Sequence, residues 1–450
     1  MKRKVYSKLL EWKNERHGES AILINGARRV GKSYIVKEFA KKEYKSYILL
    51  DFNMVGSDIK DLFDNYLADL DTFFMYLGSY TNTKLYPRNS VIIFDEVQLY
   101  PRARAAIKYL VEDGRYDYIE TGSLVSIKKN VENIMIPSEE EEVLMYPMDF
   151  EEFLWAIGND TMMPLIRHNF EKLQEMGQAM HRKCMDLFRQ YLIVGGMPQA
   201  VAKYVEVKDF SKVDHIKRQI IRLYRNDIQK YAADYAPKVT RIFDTIPSQL
   251  QRHEKKFMLR ALAEGARMRD YETSFFWLAD AMIVNIAYNT TEPSIGLGLN
   301  ADDATLKCYM ADTGLLISQA FNENDIAAEN LYGKLLSGKL EFNGGMVIEN
   351  VVAQMLRAAG HKLYFFSKYS KSEAEERMEL DFLISKSSVT TRHNISPIEV
   401  KSTSRYTLSS LRKSIAKYGN YLATPYVLHT ADLLVDGGIT YLPLYMTGLL

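Results

Sequence analysis

Gly26-Ala27-Arg28-Arg29-Val30-Gly31-Lys32-Ser33 is the stretch that decides how the chain is read. A glycine, four residues and then Gly-Lys-Ser is the spacing of a phosphate-binding loop. An apolar run of buried-strand length, Ala21-Ile22-Leu23-Ile24, precedes it. Ile35, Val36, Phe39 and Ala40 follow at helical spacing among Lys37, Glu38 and Lys41. Strand, glycine loop and helix come in the order the chemistry requires. Glycine reaches backbone shapes that a Cβ penalises, so the loop N–H groups can wrap a phosphate at the positive end of the helix dipole. In this reading Lys32 reaches the β- and γ-phosphates of ATP, and the Ser33 hydroxyl ligates Mg²⁺.

Working outward, residues 1–18 read as an opening helix carrying Val5, Leu9, Leu10 and Trp12. Tyr47–Phe52 reads as a second strand, and Leu62, Phe63, Tyr66, Leu67 and Leu70 mark a helix. Val91-Ile92-Ile93-Phe94-Asp95-Glu96 is a third strand, of the Walker B type. A parallel strand buried on both faces reads as one apolar run, and ligands bind beyond its carboxyl end. Asp95 would hold Mg²⁺ opposite Ser33, and Glu96 would be the general base for the attacking water. A fourth strand, Tyr118–Thr121, ends in Gly122-Ser123. Thr121 and Ser123 stand either as sensors of the γ-phosphate or as Ser/Thr caps of a following helix. Val143–Pro147 reads as a fifth strand and Ser138–Glu142 as a solvated acidic loop. Alternating strands and helices imply a doubly wound parallel sheet.

Composition bounds the rest. A chain of 450 residues predicts two or three domains. Hydrophobic residues at 47% and charged residues at 26% are ordinary for a globular protein, and a formal net charge of +1 gives no sign of bulk attraction to nucleic acid or acidic membranes, leaving room only for a local basic patch. The two cysteines, Cys184 and Cys308, and the eight scattered histidines make neither a redox nor a zinc pattern. With no signal peptide and no apolar run of about 18 residues, the chain reads as cytoplasmic, with no membrane partner.

From Phe150 to about Tyr235 the pattern is helical, broken by Gly195-Gly196-Met197-Pro198. Helices followed by two strands, Ala281–Tyr288 and Leu306–Met310, suggest a winged-helix module. Lys255, Lys256, Arg260, Arg267 and Arg269 make this stretch locally basic: a solvated or interdomain face, or a contact to DNA.

A further signal lies near the C-terminus. Glu349 edges the apolar stripe of a helix, Asp381 sits on the strand Met378–Ile384, and Glu399 and Lys401 share one face of Pro397–Lys401. A helix glutamate, a strand aspartate and Glu-x-Lys on the next strand match a restriction-endonuclease-like set. Asp381 and Glu399 would ligate Mg²⁺, joined by Glu349, with Lys401 orienting or deprotonating water. The alternative is a half-exposed sheet face on which Glu and Lys attract each other.

Taken together the motifs resemble those of prokaryotic AAA-like P-loop ATPases that end in a nuclease-like domain of uncharacterised function. The resemblance rests on Gly26–Ser33, Phe94–Gln98, Thr121–Ser123, Tyr191–Pro198, Tyr309–Leu315, Glu349, Glu379–Phe382 and Glu399–Lys401. It implies an AAA-like ATP-binding domain over 1–150, a helical region over 151–240, a winged-helix-like module over 241–335 and a nuclease-like α/β domain over 336–450. Many relatives carry a Gly-Arg pair before the fifth strand. Here that region reads Ile136-Pro137-Ser138-Glu139, which leaves an arginine finger, and with it the oligomeric state, unassigned. The function expected is an ATPase whose nucleotide state controls the C-terminal domain. The rivals are a nucleotide-dependent switch that docks DNA or protein without cleaving, and an ATP-regulated DNA nuclease.

Overall fold

The computed structural model describes residues 1–123, 138–252, 255–294, 296–321, 333, 344–369, 376–385, 394–403 and 405–450. Ile136 and Pro137, where relatives place an arginine, and the expected boundary at 335/336 lie outside the described residues. The chain forms two compact units, Met1–Tyr146 with Asp280–Met282, and Pro147–Ala279 with Ile283–Leu450. Among the described residues no helix is long and apolar enough to cross a membrane.

The first unit is built on five parallel strands: β1 (Ala21–Asn25), β2 (Ser46–Asp51), β3 (Ser90–Asp95), β4 (Asp117–Gly122) and β5 (Glu140–Leu144). Their order is β2-β3-β4-β1-β5. Every residue of β1, β3 and β4 is buried, which is why β1 and β3 read as apolar runs, while β4 buries Asp117, Glu120 and Thr121 as well. One face is sealed by aromatic rings. Phe63 meets Phe52, Phe73, Phe94 and Tyr100 at centroid distances of 5.2 to 6.1 Å, and such pairs add about 0.5–1.5 kcal/mol each beyond burial. The strand order sets β4 between β1 and β3, so the carboxyl end of β4 falls between the glycine loop and the Walker B acids.

The acidic stretch before the fifth strand is not a loop. Glu140, Glu141 and Glu142 lie in β5 and pair with Ala21, Ile22 and Leu23. Each carboxylate has a partner: Glu140 the buried Arg104 at 2.8 Å, Glu141 Arg16 at 2.6 Å, Glu142 the Asn25 amide at 2.6 Å. A run of four glutamates looks solvated in sequence because the partners that neutralise it lie up to 125 residues away.

The second unit begins with helices. Phe150–Ala156 opens on a capping box, in which the Asp149 side chain accepts from the Glu152 N–H (2.9 Å) and Glu152 returns a bond to the Asp149 N–H (3.3 Å). Longer helices follow at Gln178–Val194, Phe210–Tyr231 and Ala236–Leu250. An eight-stranded mixed sheet completes the unit: β6 (Val284–Thr290), β7 (Ala301–Met310), β8 (Tyr364–Lys368), β9 (Met378–Ser385), β10 (Ile395–Val400), β11 (Tyr426–His429), β12 (Leu434–Asp436) and β13 (Ile439–Pro443), in the order β12-β13-β11-β10-β9-β8-β6-β7. The hairpin expected for a winged helix is present as β6 and β7, but β6 also pairs in parallel with β8, Tyr288 opposite Tyr364. The hairpin therefore continues the C-terminal sheet instead of standing in a module of its own. An exposed edge of β6 would leave backbone groups unpaired, and β8 satisfies them.

Two of the motifs that carried the resemblance interlock in this unit. Gly196 N–H donates to Asp312 (2.5 Å), and Met148 N–H donates to the Gly196 carbonyl (2.7 Å). A Cβ on Gly196 would lie 2.1 Å from the Met148 carbonyl oxygen. Tyr191 donates to Met148 O (2.9 Å) and accepts from Gln354, whose amide oxygen takes the Thr313 N–H.

Candidate functional site

The glycine loop leaves β1 and turns into the helix Lys32–Glu43. Arg29 at φ 72° and Gly31 at φ 95° curl it back on itself. No side chain caps that helix, so its first-turn N–H groups face the loop unclaimed by a side-chain cap. Gly26 fits because a Cβ there would sit 2.3 Å from the Met145 carbonyl oxygen. Ala27 and Val30 are buried beneath the loop, while Arg28 and Arg29 are exposed. The Lys32 ammonium is buried and donates to the carbonyls of Gly26 (2.8 Å) and Ala27 (3.1 Å). Burial pulls its pKa below the usual lysine value, against the opposing pull of Glu96 and Asp95.

The acids stand opposite. Ser33 donates to Asp95 Oδ1 at 2.8 Å, and Thr121 at the end of β4 donates to the same oxygen. Thr121 Oγ1 in turn accepts from the Glu96 N–H at 3.3 Å. The Thr121 hydroxyl thus bonds to both Walker B residues. Ser123 follows β4, half-buried. Strand β3 ends at Asp95, so Glu96 is off the strand, in the left-handed region at φ 54°, ψ 46°. Its carboxylate accepts from Gln98 Nε2 at 2.5 Å. A non-glycine residue held there costs free energy, and such positions cluster at working sites. A serine hydroxyl and a carboxylate converging at 2.8 Å are hard oxygen donors of the kind Mg²⁺ takes alongside phosphate and water, so these residues fit a nucleotide–Mg²⁺ pair.

In the second unit two of the four C-terminal residues, Glu349 and Asp381, come together around an ammonium group, and Glu399 and Lys401 pair with each other. Lys307 of β7, 1% exposed, places Nζ 3.2 Å from Glu349, 3.2 Å from Glu379 and 3.9 Å from Asp381, and 5.0 Å from the centre of the Phe365 ring. Glu349, on the helix Gly344–Ala358, also accepts from Tyr309 (2.5 Å) and from Lys255. Asp381 accepts from the Val400 N–H (2.8 Å), and Glu399 pairs with Lys401 (2.9 Å). Burial would raise the Glu349 carboxyl; the charges of Lys307 and Lys255 win and hold it at about 2. Burial and then Glu349 push Asp381 up. Burial and then Asp381 raise Glu399 to about 7, against the pull of Lys401. Among the described residues no group of three or more His, Cys, Asp or Glu is placed to hold a metal ion.

Lys307 and Tyr309 were missed in the sequence as parts of this group. The available signal was a lysine inside the apolar strand Leu306–Met310, since lysine is almost never fully buried unless paired. Lys255, one of a basic stretch read as a solvated or interdomain face or a contact to DNA, is turned onto Glu349.

A parallel sheet with a glycine loop after β1, a lysine and serine opening the next helix, and Asp95 closing β3 with Glu96 just beyond it defines a P-loop ATPase-like domain. The family model for the AAA domain matches residues 18–154, which takes in most of this unit. Two further models, each described as a domain of unknown function, match residues 185–325 (DUF8612) and 344–446 (DUF4143). Among solved structures the chain is similar to AMPPCP-bound DnaA from Aquifex aeolicus, at 12% identity over 76% of this chain and 95% of that one. The TM-score of 0.26 is too low for that likeness to carry an argument. None of the curated proteins compared with the chain matches it.

Proposed function

We propose that the N-terminal unit binds ATP with Mg²⁺ at Gly26–Ser33 and hydrolyses it. The observation that carries this is the bonded chain from Ser33 through Asp95 and Thr121 to the Glu96 N–H. Loop N–H groups and Lys32 take the phosphates, and the exposed Arg28 and Arg29 add positive charge around a triphosphate. Ser33 and Asp95 hold the cation, which neutralises charge on the β- and γ-oxygens. Glu96 takes the proton of the attacking water. Thr121 fixes the position of both acids, and Ser123, at the same strand end, is the γ-phosphate sensor.

Glu96→Gln keeps ATP binding and loses turnover by about 10²–10⁴-fold, because an amide is a very poor proton acceptor. Lys32→Ala loses tight ATP binding itself, since charge-assisted contacts to phosphate are of the stronger class. Parental turnover in folded Glu96→Gln, or parental affinity in folded Lys32→Ala, sinks the assignment.

Nucleotide state then sets the behaviour of the second unit toward a partner, DNA or protein. Of its two forms, a docking switch is favoured over a nuclease, because Lys307 stands among the carboxylates a nuclease would give to metal. ATP turnover with and without DNA, beside a Mg²⁺-dependent cleavage assay, separates the two: cleavage lost in Asp381→Ala would restore the nuclease.

A further inference from the structure

We infer that Lys307 is the resident counter-cation of the C-terminal carboxylates, standing where a divalent metal would have to stand, and that this unit works without a metal. The inference deepens the docking reading of the second unit and is independent of ATP turnover.

The geometry is that of a filled site. The Lys307 ammonium lies 3.2 Å from both Glu349 and Glu379, within hydrogen-bond reach, and 3.9 Å from Asp381 as an ion pair. Several acceptor oxygens are taken elsewhere as well. Glu349 gives one oxygen to Lys307 and Tyr309 and the other to Lys255. Asp381 spends Oδ2 on the Val400 N–H, and Glu399 spends Oε2 on Lys401. Mg²⁺ takes six oxygens at about 2.0–2.1 Å, several of them from water, and to gain Glu349 it would have to displace Lys307, Tyr309 or Lys255.

Charge decides in the same direction. Four carboxylates, Glu349, Glu379, Asp381 and Glu399, face three ammoniums, Lys255, Lys307 and Lys401. One surplus negative charge does not call for a dication. The ammonium is also tethered: β7 is held to β6 along its length, and the Lys307 chain crosses the Phe365 ring of β8 to reach β9. Expelling it would strand buried carboxylates without their cation, a strongly destabilising change. Lys307 thus joins strand β7, helix Gly344–Ala358 and strand β9 as one structure.

The test uses the full chain carrying Asp95→Asn, which removes the metal ligand of the glycine loop, free of nucleotide and titrated with Mn²⁺ by calorimetry. The result expected is no saturable site that depends on Asp381, and a thermal midpoint indifferent to EDTA. Replacing the ammonium by Lys307→Met lowers the midpoint, Mn²⁺ restores part of the loss, and adding Asp381→Asn abolishes that restoration. Saturable Mn²⁺ binding with Lys307 intact, removed by Asp381→Asn, overturns the inference. So does a folded Lys307→Met chain that takes up no Mn²⁺. Should Lys307→Met fail to fold, the titration of the Lys307-intact chain decides alone.

Discussion

Glu96 is held in the left-handed region, at φ 54° and ψ 46°. That backbone shape costs an L-residue roughly 1–2 kcal/mol, a cost glycine escapes. Glycine elsewhere gives up about 0.4–1 kcal/mol to alanine through the entropy of the unfolded chain. The pair Glu96→Gly and Glu96→Ala isolates the backbone, because both lose the carboxylate and its bond from Gln98, and both keep the N–H that Thr121 accepts. Subtracting the entropy from the strain leaves Glu96→Gly more stable than Glu96→Ala by about 0.5–1 kcal/mol, the reverse of the usual order. For a domain of this size that is a midpoint difference of about 1–4 °C, read by differential scanning calorimetry. Both variants bind ATP and neither turns it over. An alanine variant as stable as the glycine variant would refute the strained turn and, with it, the placement of the Glu96 carboxylate beyond the strand.

Lys217 is fully buried, donating to Ile193 O at 2.7 Å with Asp214 at 3.9 Å. Burial lowers its pKa from 10.5 to about 8, against the pull of Asp214 and Asp312. Between those values the unfolded chain binds the extra proton, so stability rises with pH from about 8 toward 10.5, by up to about 3 kcal/mol. Urea midpoints across that window should climb in the parent and flatten in Lys217→Met; a parallel slope in both would clear Lys217 of the effect. Gly196→Ala should destabilise the second unit by about 1–3 kcal/mol, since its Cβ would meet the Met148 backbone at 2.1 Å. An unchanged midpoint would mean that the Gly196–Met148–Asp312 junction yields freely.

What the sequence determined by itself was local. The glycine loop, the Asp95-Glu96 pair at the end of β3 and the apolar runs of β1 to β3 declare themselves within a dozen residues, because turn chemistry and burial periodicity act at short range. Thr121 was legible as a polar residue at a strand end, and its bond to Asp95 required the strand order that sets β4 beside β3. Tertiary structure decided the rest, through pairs distant along the chain. Glu140 became a strand residue with a covered carboxylate only because Arg104 comes to meet it. The hairpin β6–β7 joined the C-terminal sheet because the nearest edge able to satisfy β6 is β8, whose pairing residue lies 76 positions on from Tyr288. The three acids at Glu349, Asp381 and Glu399 were visible as a set, and like charges brought together require a cation. Which cation it would be is not written at those positions: Lys307 lies 42 residues before the first of them, in a strand whose apolar pattern hides a buried charge.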